Sequence, residues 1–497
     1  MKIKRSLSML ILMSMLASLS ACGSGEGTTD SGSSGDTANA VDTTAADDIY
    51  SIRAELDDGL PVKDYGGADF TIATYTALLD HYQCEEQTGD VVDDAIFFRN
   101  IAVEERFNIN LCYDYNDDYM TASGTIRKNV LAGENAHDLV AHHIVDMGNM
   151  AAEGLFLNLL DQPNIDLTKP WWSQKAAESL TYKHKVLCLG VGDYSLSSVS
   201  YTGFFAFNKV QLLDYQMTPD DLYNMVREGK WTLDSLSEIV KNVYQDLNGN
   251  TVKDAGDYFG LANIYAGANT YLAACDNPIV ENNTDGVPEL VYYQDKTSSA
   301  AEKIMALLFE NPGVITGDYN KDGNIPLEMF MDGTTLFAPS DLASAYISYR
   351  SNEDPFGALP YPKYDEAQIE YLTVSGGSGA GLAIPLTTGD AERSAIITEA
   401  LCAESYKQVI PAFVETALKV KLADDPDTVE MIDIILNGRV YDPGFIYHYE
   451  NGFGFTLQHL CTSPDRTNIT SYYERRKPSY TKFLDSMIEK FEALITE

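Results

Sequence analysis

Basic residues are scarce in this chain. It contains 34 lysines and arginines against 74 aspartates and glutamates, which gives a net charge of −40 at neutral pH. A polyanion repels the phosphate backbone of nucleic acids, so a nucleic acid is excluded as a partner. The same charge disfavours anionic ligands, and a neutral or cationic ligand fits better.

Long apolar runs are equally scarce. One such run, residues 7–19, follows three basic residues at the N-terminus. This arrangement predicts a signal peptide over residues 1–21, and the Leu-Ser-Ala-Cys sequence that ends at Cys22 resembles a lipobox. No later segment approaches the roughly 18 uninterrupted apolar residues of a membrane span. We therefore expect contact with the membrane only through a lipid.

Cys22 is the predicted lipidation site. Diacylglycerol on its thiol, with acyl chains such as palmitate, anchors a protein at about 0.8 kcal/mol per buried methylene. Residues 22–49 are dominated by Gly, Ser, Thr, Ala and Asp. A flexible tether of this kind holds the folded body on the order of 25 to 30 Å from the lipid. We predict an extracytoplasmic lipoprotein on the cell membrane; the alternative is an ordinary signal peptide with a chance cysteine.

Closely spaced cysteine pairs are absent. Six cysteines remain after Cys22, and none of them forms a CxxC motif. An even number outside the cell permits disulfides. However, Cys112, Cys188 and Cys402 lie in apolar runs that are typical of buried thiols. We expect the six cysteines to be mostly reduced.

Signatures of enzymes are also missing. The glycine-rich segment 376–381 lacks the Lys-Ser/Thr pair of a phosphate-binding loop and the GxSxG spacing of a hydrolase. Adjacent acids such as Asp93 and Asp94 cannot be assigned to catalysis without geometry. We therefore predict no catalytic residues, no organic cofactor and no enzymatic activity.

The sequence does contain a regular alternation of strand and helix patterns. Residues 70–74 and 109–113 alternate as strands do, and residues 92–107 between them have a helical apolar face. A third strand pattern at residues 138–141 precedes another helical one. This alternation predicts a parallel α/β sheet, and a second set of the same kind follows a glycine-marked crossing at Gly192.

Several short motifs occur in order along the chain. They are Lys-Pro-Trp-Trp at 169–172, Gly-Asp-Tyr-Ser-Leu-Ser at 192–197, Phe-Asn-Lys at 207–209, Gly-Lys-Trp-Thr-Leu-Asp at 229–234 and Leu-Pro-Tyr-Pro-Lys-Tyr-Asp-Glu at 359–366. Together they resemble the sugar-type extracellular solute-binding lipoproteins, family 1, of bacterial ABC importers. The resemblance covers the chain from about Gly66 to the C-terminus.

The resemblance implies an α/β, two-lobed fold of the periplasmic-binding-protein kind, type II-like, with hinge crossings between the lobes. We place these crossings near Gly192, near Ser340 and Asp341, and after Ala417. The predicted first lobe consists of residues 50–191 and 340–417, and the predicted second lobe of residues 192–339 and 418–497.

The resemblance also implies a function. A monomer of this kind closes on a sugar or oligosaccharide and delivers it to the transmembrane permease subunits of an ABC transporter, which is carbohydrate transport. Two alternatives stay open at this point, because one fold can carry many functions. One is a surface enzyme that degrades glycans. The other is the same binding fold serving a peptide ligand or a sensor.

Candidate ligand-binding residues come from aromatic pairs and strand ends. Sugar rings stack their C–H faces on flat side chains, which nominates the neighbours Trp171 and Trp172. Because one of two adjacent tryptophans usually faces the core, we expect one at the cleft and one packed. Open α/β sheets bind ligands at strand ends. The strand-end candidates are Tyr75, His142, Asp193, Asp341 and Tyr371.

One loop has the oxygen spacing of an EF-hand and resembles the calcium loops of dockerin modules. Ligand oxygens would come from side chains at positions one, three, five, nine and twelve and from the carbonyl at seven. Threonine replaces the usual glycine at position six, and aspartate the usual glutamate at twelve. We predict a structural Ca²⁺; an Asn-Gly turn with solvated acids is the alternative. The candidate ligands are Asp246, Asn248, Asn250, Val252, Asp254 and Asp257.

Overall fold

The computed structural model describes residues 51–352, 354–375, 377, 379–418, 426–447, 452–466 and 468–496. The chain divides into two units, Met1–Thr43 and Thr44–Glu497, and the second is compact. The predicted signal peptide, the lipidation site Cys22 and the predicted tether all lie outside the described residues. Within the described part, every helix is too short or too polar to cross a bilayer.

Thirteen strands are present in the described residues. In chain order they are β1 (Ala68–Tyr75), β2 (Ile109–Asn116), β3 (Leu139–His143), β4 (Gly203–Asn208), β5 (Phe259–Ile264), β6 (Val280–Asn282), β7 (Pro288–Leu290), β8 (Val314–Gly317), β9 (Thr335–Asp341), β10 (Phe356–Leu359), β11 (Thr373–Val374), β12 (Ala380–Ala383) and β13 (Arg439–Val440).

Helices connect most of these strands. They are Thr76–Leu79, Val91–Phe107, Tyr119–Leu131, Ile144–Ala152, Gln174–Leu180, Ser197–Ser200, Pro219–Arg227, Leu233–Val240, Ala268–Ala274, Thr297–Phe309, Tyr319–Asp322, Ile325–Met331, Leu342–Ile347, Ala391–Glu404, Pro426–Asn437, Pro443–Ile446, Thr456–Cys461 and Ile469–Thr496, with π-helical turns at Ser405–Val409 and Ala412–Leu418. Side-chain caps set several starts. Asp90 accepts the Val92 N–H at 2.9 Å, and Thr232 accepts the Ser235 N–H at 3.2 Å.

The two main sheets share one pattern. The first has the strand order β12-β3-β1-β2, and the second β10-β4-β9-β5-β8. In each sheet three strands run parallel, and the next strand, β12 or β4, runs antiparallel to them. That antiparallel strand arrives each time from the other sheet, so the lobes exchange a strand. The predicted α/β organisation in two lobes with crossings between them is confirmed.

Three crossing segments lie side by side between the sheets. Thr202, just before β4, pairs with Ser375, and β11 pairs in parallel with β13. The first crossing runs from Gly192, which pairs with Trp172, to Thr202. The predicted crossing at Ser340 and Asp341 is wrong, because β9 ends there and the chain next adds β10 to the second sheet, antiparallel to β4. The chain returns to the first sheet only between β10 and β12.

The C-terminal part contacts both lobes, which differs from its predicted place in the second lobe alone. Helix Pro443–Ile446 packs on helix Ile144–Ala152 of the first lobe so closely that a Cβ on Gly148 would lie 2.0 Å from the Ile446 carbonyl oxygen. The contact therefore requires glycine at position 148. Phe491, near the end of the chain, packs on Tyr182 with ring centroids 5.8 Å apart.

The cysteines after Cys22 form no disulfide among the described residues. Cys84 and Cys112 are half-buried, and the other four lie in the interior. Burial raises the pKa of the Cys188 and Cys275 thiols to about 12, so these side chains stay protonated at neutral pH and behave as small apolar groups.

Candidate functional site

The two sheets direct strand ends toward one cavity. Tyr75 ends β1 of the first lobe and Asp341 ends β9 of the second, and both line a cavity of about 580 Å³. Ligands of open α/β sheets bind at this edge, and ligand cavities commonly measure about 300 to 1,000 Å³. The lining residues are Tyr75, Ala77, Tyr201, Gly203, Thr270, Ser340, Asp341, Ala343, Ser344, Ile347, Ser348, Tyr361 and Val374. We call this cavity the cleft.

Asp341 brings a carboxylate to the cleft. It precedes helix Leu342–Ile347 and accepts the Ser344 N–H at 2.8 Å, so the helix start fixes its position. Burial raises the pKa of this carboxyl, and hydrogen bonds from the helix start oppose the rise. The carboxylate is thus held at the wall of the cleft by backbone donors of its own helix.

Tyrosine rings form much of the remaining wall. Tyr361 stands perpendicular to Phe205, with centroids 4.9 Å apart, and Tyr201 packs edge-on against His81 at 5.6 Å. Burial raises the pKa of Tyr75, Tyr201 and Tyr361, so all three phenols are neutral hydrogen-bonding groups. Aromatic faces and hydroxyls together suit a ligand that has both apolar C–H surfaces and polar groups.

His142 lies behind Tyr75 and not at the cleft surface. Its ring is fully buried, 5.1 Å from the Tyr75 ring, and its Nε2 is 2.8 Å from the Ser123 Oγ. The Ser123 hydroxyl in turn donates to Asp146 at 2.9 Å. Burial lowers the pKa of His142 to about 4, so the imidazole is neutral. The prediction that His142 contacts ligand is wrong in this structure, because the side chain supports Tyr75 from the interior.

The two tryptophans occupy the core of the first lobe. Trp171 is 0% exposed and Trp172 3% exposed, and both indole N–H groups donate to Glu399, at 2.8 and 2.9 Å. Burial raises the pKa of Glu399 to about 7, while the two indoles lower it. Neither tryptophan lines the cleft as defined above, because Glu399 holds both indole N–H groups in the interior of the lobe; the Trp172 ring instead lines a separate cavity of about 400 Å³.

Asp193 lies at the start of the first crossing, directly after Gly192. It lines a separate cavity of about 400 Å³ together with Arg53 and Arg439. Burial raises the pKa of Asp193 to about 7, against the opposing effect of the two arginines. Asp193 therefore does not share the cleft with Tyr75 and Asp341.

Tyr371 is mostly buried beneath a connecting segment. It is 9% exposed, its hydroxyl accepts the Trp231 N–H at 3.3 Å, and the Lys363 Nζ lies 5.0 Å from its ring. Burial raises the pKa of Tyr371 to about 12. The structure thus places Tyr371 in packing against Trp231, away from the cleft lining.

A larger cavity of about 1060 Å³ lies among loops. It is lined by the segment that leads to β11, by the loop after helix Ala268–Ala274 and by residues that follow β13. Val374 lines both this cavity and the cleft. Of the three cavities described above, the cleft is the one that strand ends of both main sheets line, and it is therefore the candidate site.

The predicted calcium loop has some features of an EF-hand. Thr251, at position six, adopts φ +64°, and Asp246 accepts its N–H at 3.0 Å. The side-chain amides of Asn248 and Asn250 donate to Asp254, at 3.2 and 3.0 Å. Within the described residues, no three His, Cys, Asp or Glu side chains are grouped as metal ligands. The backbone thus has the turn, while the amides as placed satisfy Asp254 without a cation.

Sequence reasoning missed several cleft residues. Tyr201 and Gly203 lie where the chain enters β4, and Tyr361 lies two residues after the end of β10. Thr270 belongs to the helix after β5. Each lies within a few residues of a strand end, so that signal was present. The prediction placed residues 340–417 in the first lobe, so Tyr361 was not recognised as following a strand of the second sheet.

Neither a family model nor a curated protein matches this sequence. Solved structures do match the fold. The galacto-N-biose-/lacto-N-biose I-binding protein of an ABC transporter from Bifidobacterium longum, solved with lacto-N-biose, has a TM-score of 0.56 at 10% identity, over 85% of this chain and 99% of that one.

Two further structures are similar to the same extent. UgpB from Mycobacterium tuberculosis, solved with glycerophosphocholine, has a TM-score of 0.53 at 16% identity, over 85% of this chain and 99% of that one. The ABC substrate-binding protein Lmo0181 from Listeria monocytogenes, solved with cycloalternan, has a TM-score of 0.52 at 12% identity, over the same shares. The chain has the two-lobed fold of these ABC-transporter solute-binding proteins, as the resemblance predicted.

Proposed function

We propose that this protein is the solute-binding component of an ABC importer and captures a sugar or oligosaccharide in the cleft. The observation that carries the proposal is the cleft itself, where strand ends of both sheets line one cavity of about 580 Å³. A cavity shared by two lobes is suited to a solute that is held between them.

Saccharide is the ligand class that the lining supports best. Three tyrosines offer faces and hydroxyls, and Thr270 and Ser344 add further hydroxyl groups. No lysine or arginine lines the cleft among the described residues, which disfavours phosphate or carboxylate ligands. Two of the structural neighbours were solved with lacto-N-biose and with cycloalternan, which adds support.

Closure follows from the arrangement of the crossings. Three extended segments run between the lobes side by side, and a few backbone dihedrals in such segments can absorb a hinge motion. Solute that contacts Tyr75 of one lobe and Asp341 of the other gains both sets of contacts only when the lobes approach. The closed state is then favoured by the difference in affinity between the two states.

Delivery to a permease requires that the protein stay near the membrane. We infer that a lipid on Cys22 and the tether to residue 49 provide this, and that the body is extracytoplasmic and monomeric. Replacing Cys22 with alanine should release the protein from the membrane fraction. A Cys22→Ala variant that still fractionates with lipid contradicts the anchor.

A glycan panel tests the binding function. Thermal shift of the purified soluble body should identify a saccharide that raises the melting temperature, and the saccharide should be recovered unaltered. Conversion of a glycan into smaller products, abolished by changing one carboxylate, would establish a glycan-degrading enzyme instead.

We also propose a structural calcium ion in the loop 246–257, where the positive φ of Thr251 matches the turn that an EF-hand needs. Binding requires the Asn248 and Asn250 amides to turn their oxygens inward. At 100 times its dissociation constant, calcium should add about 2.7 kcal/mol to the free energy of unfolding. An unchanged melting temperature after calcium is added to chelator-treated protein rules the ion out.

A further inference from the structure

The charged groups at the cleft have one sign. Asp341 is the single charged residue among the described residues of the cleft lining, and none of these is lysine, arginine or histidine. Asp80 follows helix Thr76–Leu79, which contributes Ala77 to the lining. Its chain neighbour His81 packs on the lining ring of Tyr201. Asp341 therefore lines the cleft from the second lobe, and Asp80 lies next to lining elements of the first lobe without lining the cavity itself.

Tyr201 is near both carboxylates. Its neighbour Gly203 pairs with Asp341 across the β4–β9 ladder, and His81 beside Asp80 packs on its ring at 5.6 Å. After burial, Asp341 and then Asp80 are the causes that raise the pKa of Tyr201. Both acids thus act on one phenol, from opposite lobes.

The surrounding cations do not neutralise the pair. Burial, followed by the charge of Arg99, lowers the pKa of His81 to about 4, so His81 is neutral. Arg99 is fully buried and its guanidinium donates to the carbonyl oxygens of His81, Tyr82 and Tyr194, at 2.8 to 3.3 Å. Its charge is committed behind the cleft wall, which leaves the cleft without a described counter-charge.

In the closed state proposed above, Asp80 and Asp341 would come closer together and water would leave, so the repulsion between them would increase as the effective dielectric falls. A cation between them reverses the sign of this energy, and aromatic faces attract cations as well. A ligand with positive charge therefore couples binding to closure more strongly than a neutral ligand does.

We propose that the ligand carries a protonated amine, which closure places between Asp80 and Asp341 beside the rings of Tyr201 and Tyr361. An amino sugar, or an oligosaccharide that contains one, is the class of solute that fits. The inference rests on the proposed function of the cleft and specifies its ligand. It also agrees with the net charge of −40, which concentrates cations around the protein.

Matched probes separate charge from sugar shape. Glucosamine, N-acetylglucosamine and glucose, and the β-1,4-linked dimers of the first two, are titrated calorimetrically at pH 6.5 with chelator present. Choline and spermidine serve as amines without a sugar ring. We expect each amino sugar to bind at least about tenfold more tightly than its N-acetylated or hydroxyl counterpart.

Variants assign the effect to the two acids. Asp341→Asn keeps the helix cap, since asparagine caps as well as aspartate, and Asp80→Asn changes an exposed side chain. Each should weaken amine binding by about 30-fold or more. Asp80 does not line the cavity, so Asp80→Asn should leave the binding of neutral sugars unchanged, and Asp341→Asn should weaken it far less than it weakens amine binding. Glu105→Gln, an exposed acid on the first lobe, is the matched control and should change neither. If Asp341→Asn does not fold, the affinity of Asp80→Asn for the amine probes tests the inference alone.

Each outcome has a defined meaning. Equal affinity for amine and neutral counterparts, amine binding that is unaffected by both substitutions, or no amine binding at all overturns the inference. A neutral saccharide that binds in the cleft while amines do not would leave the solute-binding proposal standing. Binding of choline or spermidine, with no binding of any saccharide, would support a cationic ligand and contradict the proposal that the ligand is a sugar.

Discussion

Glu399 in the first lobe and Asp341 at the cleft are both carboxylates among aromatic rings, and burial raises the pKa of both. Their partners differ. Glu399 receives the N–H groups of Trp171 and Trp172 on its two oxygens, at 2.8 and 2.9 Å. Asp341 is held by its own helix start, beside a cavity of about 580 Å³.

The difference shows how an aromatic residue can be assigned to core or cleft. An indole has one donor and no acceptor, so a buried tryptophan depends on one fixed partner. A tyrosine hydroxyl can donate or accept, and the ring can stand at a wall with its edge against a neighbour. Rare tryptophans therefore build the lobe here, and abundant tyrosines line the cleft.

The largest effect is expected from removing a tryptophan of the first-lobe core. Trp171→Ala should lower the free energy of unfolding by about 3 to 5 kcal/mol, because it removes a fully buried indole and leaves Glu399 short of a donor. Denaturant unfolding measures the loss. Trp171→Phe is the control and should lose less, since it keeps most of the apolar volume. A stable Trp171→Ala variant that loses only ligand affinity would move this tryptophan to the binding site.

The stability of the first-lobe core should depend on pH through Glu399. Glu399 has a folded pKa of about 7 against an ordinary value of 4.5. Its contribution to stability is complete below pH 4.5 and is lost as the pH rises through 7, because the folded state holds the proton more tightly. The melting temperature should fall from pH 5 to pH 8, and Glu399→Gln should flatten part of that fall.

Part of the decrease in melting temperature between pH 5 and pH 8 should remain in the Glu399→Gln variant. Asp193 and Asp442, with pKa values raised by burial to about 7 and about 6, act in the same direction. A variant whose melting profile follows that of the parent at every pH would mean that Glu399 is ionised in the fold at pH 5.

On the cleft side, Tyr201→Ala should weaken binding of a saccharide by about 1 to 3 kcal/mol through lost stacking. The ring is half-buried and packs on His81 and on the edge of the first-lobe core, so the melting temperature without ligand should change less than in Trp171→Ala. Calorimetry and thermal melting of the same preparation separate the two effects. Unchanged affinity would exclude Tyr201 from the site.

The smallest effect is expected from removal of one hydroxyl. Tyr361→Phe keeps the ring that stands against Phe205 and loses only the phenol oxygen. A neutral hydrogen bond contributes about 0.5 to 1.5 kcal/mol, so affinity should fall about two- to twelvefold. A loss as large as that of Tyr201→Ala would show that the hydroxyl, and not the ring, determines the contact.

Local pattern was enough to predict the alternation of strands and helices, and the resemblance of short motifs supplied the two-lobed fold. Alternating strands and helices, the crossing near Gly192, and the strand ends at Tyr75 and Asp341 are all properties of short segments. The ligand roles of Tyr75 and Asp341 stay predictions. Partners distant in sequence were not accessible, since the acceptor for the Trp171 indole lies 228 residues away. For the same reason, the sequence analysis assigned residues 356–359, which form β10, to the first lobe. Their pairing with β4, which lies far earlier in the chain, cannot be read from a short segment.

Solution scattering tests most directly whether the cleft closes on a solute. The radius of gyration of the soluble body is measured with lacto-N-biose, maltose, glucosamine and the glucosamine dimer, each at a concentration that saturates the thermal shift. We expect that a probe that binds also decreases the radius of gyration, and that Tyr201→Ala requires a higher probe concentration for the same decrease. A probe that stabilises the protein at an unchanged radius of gyration, with equal affinity for Tyr201→Ala, would contradict this expectation.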